Sequence, residues 1–211
     1  MSYYPVFLEM KERRCLVIGG GLVAERKVAA LVQAGARVTV IAPALSANLA
    51  EWSQQQRINA ITRSYRAGDL TGYEIAFAAT DDPQVNAAVY EEGKSRGVWV
   101  NAADDPAHCD FILPSVLRRG ALTVAVSTGA TSPALARMVR EELEGYFGRD
   151  YEVVAELAAE VREELRTRGI APEYEKWRQA LSGELRQWVA RGGRRQAQLF
   201  LLKQLGAISC K

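Results

Sequence analysis

One segment, between Arg13 and Pro43, constrains the fold of this chain more than any other; it reads RRCLVIGGGLVAERKVAALVQAGARVTVIAP. A run rich in β-branched residues, Cys15–Ile18, stands before three glycines, and apolar residues then recur at helical spacing over 22–34. A glycine ends this helix, and a second apolar run follows at 38–41. This order predicts a parallel β-α-β unit, whose crossover connection is right-handed in nearly all proteins.

Strands and helices continue to alternate after this unit. Short strands are predicted over 58–62, 75–79 and 98–101, and a helix over 83–96 stands between the last two, with Asp82 as its cap. Such alternation is typical of an α/β fold with a doubly wound parallel sheet of the Rossmann type.

The pattern changes near Pro114. The residues LTVAVSTG at 122–129 alternate as a strand does, and a helix begins after Ser132, which precedes a proline at the first helical position. From Asp150 onward, apolar residues recur every four positions, interrupted by RGIAP and RGG. This part of the chain is therefore predicted to form amphipathic helices, which need a partner to pack against.

Composition narrows the class of protein. The chain has 211 residues, of which 48% are hydrophobic, so it has room for one ordinary domain and a smaller one. No apolar run approaches the ~20 residues of a membrane span, and the N-terminus lacks the apolar core of a signal peptide. We therefore expect a cytoplasmic protein without a membrane partner. A net charge of +2 is too small to indicate a nucleic-acid partner.

The cysteines Cys15, Cys109 and Cys210 are odd in number and far apart. Their spacing predicts neither a disulfide framework nor a zinc cluster. Because Cys15 opens an apolar strand, it is interpreted as a small buried hydrophobe.

The three glycines fit the dinucleotide-binding pattern G-x-G-x-x-A, with Gly19, Gly21 and Ala24 at its fixed positions. Gly19 permits the tight turn, Gly21 lets the backbone approach a diphosphate, and Ala24 lets the helix lie close to the strand. The start of the helix offers free N–H groups and the positive end of its dipole to phosphate. A turn with only a structural role is the alternative, but the strand–turn–helix context favours cofactor binding.

The acid that usually binds the ribose is missing. In most NAD sites, an Asp or Glu at the end of the second strand binds the ribose 2′-OH. Here Ala42, Pro43 and Ala44 occupy that end, and no basic residue replaces the acid to bind a 2′-phosphate. Arg26 and Arg37 are near in sequence and are expected to be solvated. We expect the backbone of Pro43 and Ala44 to hold the ribose.

Four separated motifs carry a resemblance to a known family. They read YPVFLEMKERRCLVIGGGLVAERKVAALVQAGARVTVIAP, FAATDDPQVN, VNAADDPAHCDFILPS and VAVSTGATSPALARMVREELE, and they lie in this order within residues 1–145. With these motifs the chain resembles the precorrin-2 dehydrogenases. That family includes the N-terminal module of the sirohaem synthases as well as stand-alone enzymes, and it tolerates the absence of the ribose-binding acid.

The resemblance implies oxidation of precorrin-2 to sirohydrochlorin in sirohaem biosynthesis, with NAD as the cofactor. Some members also insert Fe²⁺ to give sirohaem, and others leave this step to a separate chelatase. A homodimer is implied as well. Its chains would contain an NAD-binding Rossmann domain at 1–113, a dimerisation region at 114–149 and a small all-helical C-terminal domain at 150–211. A chain of this length is expected to lack the methyltransferase module of the larger members.

The family's catalytic aspartate lies in an N-x-x-D segment, which the resemblance places at Asp104. A carboxylate just beyond a strand of an open α/β sheet lies where such sheets bind ligands. It could accept a proton, bind pyrrole N–H groups or assist metal exchange. From the residues alone, Asp104 and Asp105 could simply form a turn before a proline, and Asp105 is the second candidate. The resemblance also implies cofactor contacts from the backbone of Leu22 and Val23 and from Thr80.

His108 is the only histidine of the chain. A single histidine in a loop is more often incidental than catalytic, and no stable metal site is predicted. If the protein inserts iron, Asp104 is expected to remove most of the protons, with His108 as a possible helper at a transient Fe²⁺ site.

Precorrin-2 is a polycarboxylate, so its site must attract anions. The loop STGATSP offers hydroxyl and N–H groups before a helix, and arginines flank it. The predicted substrate contacts are Ser127, Thr128, Thr131, Ser132, Arg118 and Arg137. Arg119 and Arg140 are further candidates. Each arginine alone could equally be a surface charge, and at most two of the four are expected to bind.

Two other functions stay open at this point. A nucleotide-sensing Rossmann protein without turnover would need the glycine motif alone. A metal chelatase that has lost dehydrogenation would need the tetrapyrrole site without NAD. The Asp104 segment and the loop at 127–133 favour the dehydrogenase over the sensor, because a sensor requires neither.

Overall fold

The computed structural model describes residues 3–208, so Cys210 lies outside the described residues. The chain divides into two compact units between Leu113 and Pro114. The predicted further boundary at residue 150 stays a prediction.

The first unit is a five-stranded parallel sheet with helices packed on it, in the strand order β3-β2-β1-β4-β5. Its elements are β1 (Arg14–Ile18), α1 (Leu22–Gln33), β2 (Arg37–Ala42), α2 (Ala47–Gln54), β3 (Asn59–Thr62), β4 (Ile75–Ala78), α3 (Pro83–Arg96) and β5 (Trp99–Ala102). The chain runs outward from β1 to β3 and then returns to the other side of β1, which is the doubly wound arrangement. The predicted Rossmann-type sheet is confirmed.

Sequence reasoning missed one helix of this unit. Helix α2 has eight residues, of which only Leu49 is buried, so its apolar periodicity is too short to stand out. Its start is nevertheless marked by Ser46, whose hydroxyl accepts a hydrogen bond from the Leu49 N–H at 3.3 Å. The five strands occur where they were predicted, with ends that differ by one residue.

Both faces of the sheet are buried, as a parallel sheet requires. Strand β1 shows this within four residues. Cys15 and Val17 pack into the cluster on one face, and Leu16 and Ile18 pack into the cluster on the other. Burial raises the pKa of the Cys15 thiol to about 11, which fits its interpretation as a small hydrophobe.

The turn between β1 and α1, residues 19–21, brings two other parts of the backbone very close. Gly19 has φ +126°, and a Cβ built on it would lie 2.2 Å from the carbonyl oxygen of Ala79. A Cβ on Gly20 would lie 1.9 Å from the carbonyl oxygen of Ala44. Beside Gly21, by contrast, no atom would lie within 4 Å of an added Cβ. The first two glycines are therefore required by packing, and the third borders open space.

The second unit consists of an antiparallel hairpin and five helices among the described residues. Its elements are β6 (Ser115–Arg119), β7 (Leu122–Val126), α4 (Pro133–Tyr146), α5 (Asp150–Thr167), α6 (Tyr174–Ala180), α7 (Gly183–Ala190) and α8 (Arg194–Gln204). Strand β6 and the break between α6 and α7 were not predicted. The four-residue repeat in α5 is confirmed as its inner face, because Leu157, Val161 and Leu165 lie in the core formed with α6, α7 and α8.

The glycine turn gives a matched pair of stability predictions. Gly20→Ala forces the new methyl group into a backbone carbonyl, and we expect a loss of about 2 kcal/mol or more in the free energy of unfolding. Gly21→Ala meets no atom, and its φ of −87° suits alanine, so we expect a loss below about 1 kcal/mol, from the poorer helix cap. Urea unfolding of both variants and the parent chain measures the difference. Equal losses in the two variants would contradict the packing described here.

Candidate functional site

The chemistry-bearing residues of the first unit meet at the carboxyl ends of its middle strands, which we call the carboxyl edge. Ile18, Ala78 and Ala102 are in register across β1, β4 and β5. Beyond them, the Ala79 N–H donates to Ile18 and the Ala103 N–H donates to Ala78, both at 2.8 Å. Residues that follow these three strands are thereby held side by side. The strand order reverses between β1 and β4. Open α/β sheets bind their ligands at such a switch point.

The glycine turn opens directly into α1 at this edge. The first helical hydrogen bond runs from the Glu25 N–H to the Gly21 carbonyl, so the N–H groups of Leu22, Val23 and Ala24 have no acceptor within the helix. Leu22 is exposed, Val23 is half-buried and Ala24 is fully buried against the sheet. Free N–H groups beside the open space at Gly21 fit the diphosphate of a dinucleotide.

A carboxylate stands beside the loop where the ribose-binding acid is missing. Glu25 accepts hydrogen bonds from the Ser46 hydroxyl at 2.6 Å and from the Asn48 amide at 2.7 Å. These two bonds hold the pKa of Glu25 below its usual value. Pro43 and Ala44, just before Ser46, are exposed. Sequence reasoning missed Glu25 because the acid lies on α1 instead of at the end of β2.

Thr80 follows β4 at the same edge and is fixed to α3. The Thr80 hydroxyl donates to the Asn86 side-chain oxygen at 2.8 Å, and the Asn86 amide donates to the Thr80 carbonyl at 3.0 Å. Asn86 is buried, so these bonds are shielded from water. The predicted cap of α3 is confirmed, since the Asp82 carboxylate accepts from the N–H of Gln84 at 2.8 Å.

Asp104 lies in the turn that follows β5, residues 103–109, which we call the Asp104 turn. Its φ is +58°, in the left-handed region that few residues other than glycine adopt. Its side chain is exposed, and no described residue donates a hydrogen bond to its carboxylate. Backbone strain of this kind persists only where the surroundings impose it, and it is concentrated at functional sites.

The neighbouring carboxylate is already engaged. Asp105 Oδ2 lies 2.6 Å from His108 Nδ1, and this hydrogen bond lowers the pKa of Asp105. The His108 ring also packs edge-on against Tyr90, with 5.2 Å between ring centroids. Within residues 3–208, no group of three or more His, Cys, Asp or Glu side chains is arranged to hold a metal ion.

The predicted substrate loop lies in the second unit, between β7 and α4. Its hydroxyls largely bond within the loop: the Thr131 hydroxyl donates to the Thr128 carbonyl at 2.6 Å, and the Thr128 hydroxyl accepts from the Ser132 N–H at 3.0 Å. Ser132 caps α4 by accepting from the N–H of Leu135 at 3.2 Å, as predicted. Ala130 has φ +64°, which is a strained conformation for alanine.

The arginines near this loop differ in whether their guanidinium groups already form hydrogen bonds or ion pairs within the chain. The Arg137 guanidinium donates to Glu141 at 2.8 Å. Arg140 pairs with two glutamates of α4, and Arg119 donates to the Phe147 carbonyl at 2.9 Å. Arg118 is exposed, and no ion pair joins it to another described residue. Arg118 is thus the arginine most available to a ligand.

No helix within residues 3–208 combines the length and apolar character that a membrane crossing would need.

Comparisons with known proteins follow the same division of the chain. Residues 6–115 match a family model described as "Putative NAD(P)-binding", and residues 119–146 match one described as "Sirohaem biosynthesis protein central". The siroheme synthase of Nitrosococcus oceani is 41% identical over 200 residues, which are 94% of this chain and 43% of that protein. The siroheme synthase of Nitrosomonas europaea is 41% identical over 208 residues, or 97% and 44%. The chain thus spans less than half of these relatives.

A solved structure named "SirC, precorrin-2 dehydrogenase" superposes with a TM-score of 0.75 at 26% identity, covering 98% of this chain and all of that one. These findings confirm the resemblance to the precorrin-2 dehydrogenases and support a nicotinamide cofactor. Since the first family model covers 110 of the 211 residues, the chain belongs to that NAD(P)-binding family.

Proposed function

We propose that this chain oxidises precorrin-2 to sirohydrochlorin with NAD as the cofactor. The observation that carries the proposal is the carboxyl edge itself. There the glycine turn of a dinucleotide-binding fold follows β1, and the exposed, strained Asp104 follows β5, with only β4 between these two strands of one sheet. The names of the relatives, siroheme synthase and precorrin-2 dehydrogenase, point to the same reaction.

Different residues of the carboxyl edge have different roles in this oxidation: some bind the cofactor, and one accepts a proton. When bound, NAD supplies the acceptor for the hydride that leaves the macrocycle. The α1 N–H groups beside Gly21 hold the diphosphate, and the backbone of Pro43 and Ala44 holds the ribose. The Thr80 hydroxyl donates its proton to Asn86, so its oxygen is left to accept a hydrogen bond from the cofactor. The oxidation also releases a proton, and the Asp104 carboxylate accepts it, since His108 already occupies Asp105.

Asp104→Asn is expected to fold and to bind NAD with unchanged affinity, but to lose at least about 10²-fold in the rate of precorrin-2 oxidation, because an amide cannot accept the proton. Asp81→Asn is the matched control: it removes an exposed aspartate that follows β4 at the same edge. NADH formation under anaerobic conditions measures the rate, and calorimetry measures NAD affinity. Wild-type turnover in Asp104→Asn would exclude the proton-accepting role. NAD binding without turnover in the parent chain would favour the sensor.

Iron insertion into the product is a second candidate, carried by the Asp105–His108 pair in the same turn. Metallation releases two pyrrole protons, and this pair lies next to Asp104 in the chain as a further acceptor. Adding Fe²⁺ to sirohydrochlorin without NAD, with the same two variants, separates this activity from oxidation. A parent chain that oxidises precorrin-2 but leaves sirohydrochlorin unmetallated would limit the protein to the first reaction.

We further propose that the loop at 127–132 and Arg118 bind carboxylates of the substrate, with Arg137 as the second arginine. The hydroxyls of Ser127, Thr128, Thr131 and Ser132 shape this loop. The strained Ala130 indicates that its conformation is retained for a purpose beyond connecting two elements. Arg118 is favoured over Arg137 because Glu141 already neutralises Arg137.

Two chains are proposed to assemble through α4. Leu135 and Met138 on this helix are close to half exposed, and of the β6–β7 hairpin beside it only Leu117 is buried, so this part of the unit lacks cover. A second copy of the chain supplies such cover. Light scattering of the purified protein measures the number of chains, and a monomer at micromolar concentration would contradict this assembly.

NAD is proposed in preference to NADP because of Glu25. Its carboxylate is held beside the loop after β2 by Ser46 and Asn48, and it would repel the 2′-phosphate of NADP. The same negative charge does not oppose the uncharged 2′-OH of NAD.

Glu25→Gln is therefore expected to tighten NADP binding about fivefold, because the substitution removes one like charge beside the 2′-phosphate. NAD affinity should stay within about twofold of the parent value, because the 2′-OH of NAD that faces Glu25 carries no charge. Glu51→Gln, on the exposed surface of α2, is the control for charge removal. Titration calorimetry with both dinucleotides gives the comparison. NADP binding that is unaffected by Glu25→Gln would show that this carboxylate does not select the cofactor.

A further inference from the structure

Two side chains hold the Asp104 turn. Cys109 belongs to the turn itself, and Asn101 lies on β5 just before it. The Cys109 sulfur lies 3.2 Å from the carbonyl oxygens of both Ala102 and Asp105, so its single S–H proton is shared between backbone acceptors on either side of Asp104. Cys109 also forms an isolated antiparallel bridge with Asn101. These contacts fold the turn back onto the end of β5 and fix Asp104 in its left-handed conformation.

Asn101 connects this turn to α1. Its side chain is buried, and its amide nitrogen donates to the Phe111 carbonyl at 2.9 Å and toward the Cys109 sulfur at 3.5 Å. Its amide oxygen accepts from the Lys27 ammonium at 3.3 Å. Lys27 and the Phe111 carbonyl therefore together fix which way the Asn101 amide points. The reversed amide would place its oxygen against the Phe111 carbonyl.

Lys27 is an unusual residue to find at this position. It is half-buried, its ammonium lies 5.6 Å from the centre of the Phe77 ring, and no carboxylate of residues 3–208 forms a salt bridge with it. Burial lowers its pKa, against the opposing influence of Cys109 and Asp104. A partly desolvated cation without an acid partner is unfavourable for folding. Its presence here breaks a local rule, and such exceptions are typical of functional sites.

We propose that Lys27 and Asn101 are positioning residues, which hold the Asp104 turn in place and couple it to the cofactor-binding helix α1. Lys27 lies in the second turn of α1, whose first turn borders the open space at Gly21. The contacts through Asn101 and Cys109 then reach both sides of Asp104. A dinucleotide held by α1 and a substrate beside Asp104 are thereby kept in one fixed geometry.

The test uses hydrogen–deuterium exchange and kinetics together; only its kinetic part rests on the proposed function. In Lys27→Met, exchange in the segment 102–110 should become about tenfold faster, with β1 unchanged. The rate constant kcat for precorrin-2 oxidation should fall about tenfold or more, while the KM for NAD stays within about twofold. Lys27→Gln, which keeps an N–H donor for Asn101, should recover part of both effects. Lys11→Met, an exposed lysine before β1, is the control.

Each outcome decides between defined alternatives. Unchanged exchange and kcat in Lys27→Met would overturn the proposal. Faster exchange throughout the first unit, with a lower Tm, would also overturn it, because Lys27 would then be a general stabiliser. If the parent chain does not oxidise precorrin-2, the proposed function fails; exchange in 102–110 then still decides the positioning role by itself.

Discussion

The first unit depends on a close approach of three backbones at the turn between β1 and α1. Gly19 lies against the Ala79 carbonyl and Gly20 against the Ala44 carbonyl, at distances that leave no space for a side chain. The turn is therefore wedged between the residues that follow β4 and those that follow β2. This wedge fixes the start of α1, and with it the free N–H groups and the open space at Gly21. The proposed dinucleotide site is thus a consequence of packing as much as of glycine flexibility.

Features that depend on neighbouring residues could be predicted from the sequence, and features that depend on distant contacts could not. The β-α-β unit follows from periodicity, and the caps Asp82 and Ser132 follow from residues two or three positions away. The role of Gly20 requires Ala44, and the role of Glu25 requires Ser46 and Asn48, at the start of α2 about twenty residues later. Nothing in the local pattern marks those partners, because they meet only when β2 lies beside β1.

The same reasoning explains which parts of the candidate site were missed. Asp104 was identified through its motif, but its left-handed backbone and its exposure are properties of the folded turn. His108 was interpreted as incidental, whereas in the structure it engages Asp105. That contact leaves Asp104 as the uncommitted carboxylate of the pair. Sequence analysis ranked the two aspartates by resemblance, and the structure supplies an independent physical reason for the same order.

Departures from local rules are informative here because of where they occur. Among the residues that the structure describes, four other than glycine have positive φ: Glu12, Gln56, Asp104 and Ala130. Gln56 directly follows the end of α2, where such a conformation is common, and Glu12 lies in a tight turn before β1. The other two lie in the turn with the proposed catalytic carboxylate and in the loop with the proposed anion contacts. Lys27, a half-buried cation without an acid, adjoins the first of these. These departures from local rules lie at the proposed functional residues, which is where backbone strain and a half-buried charge are expected when a fixed geometry serves the reaction.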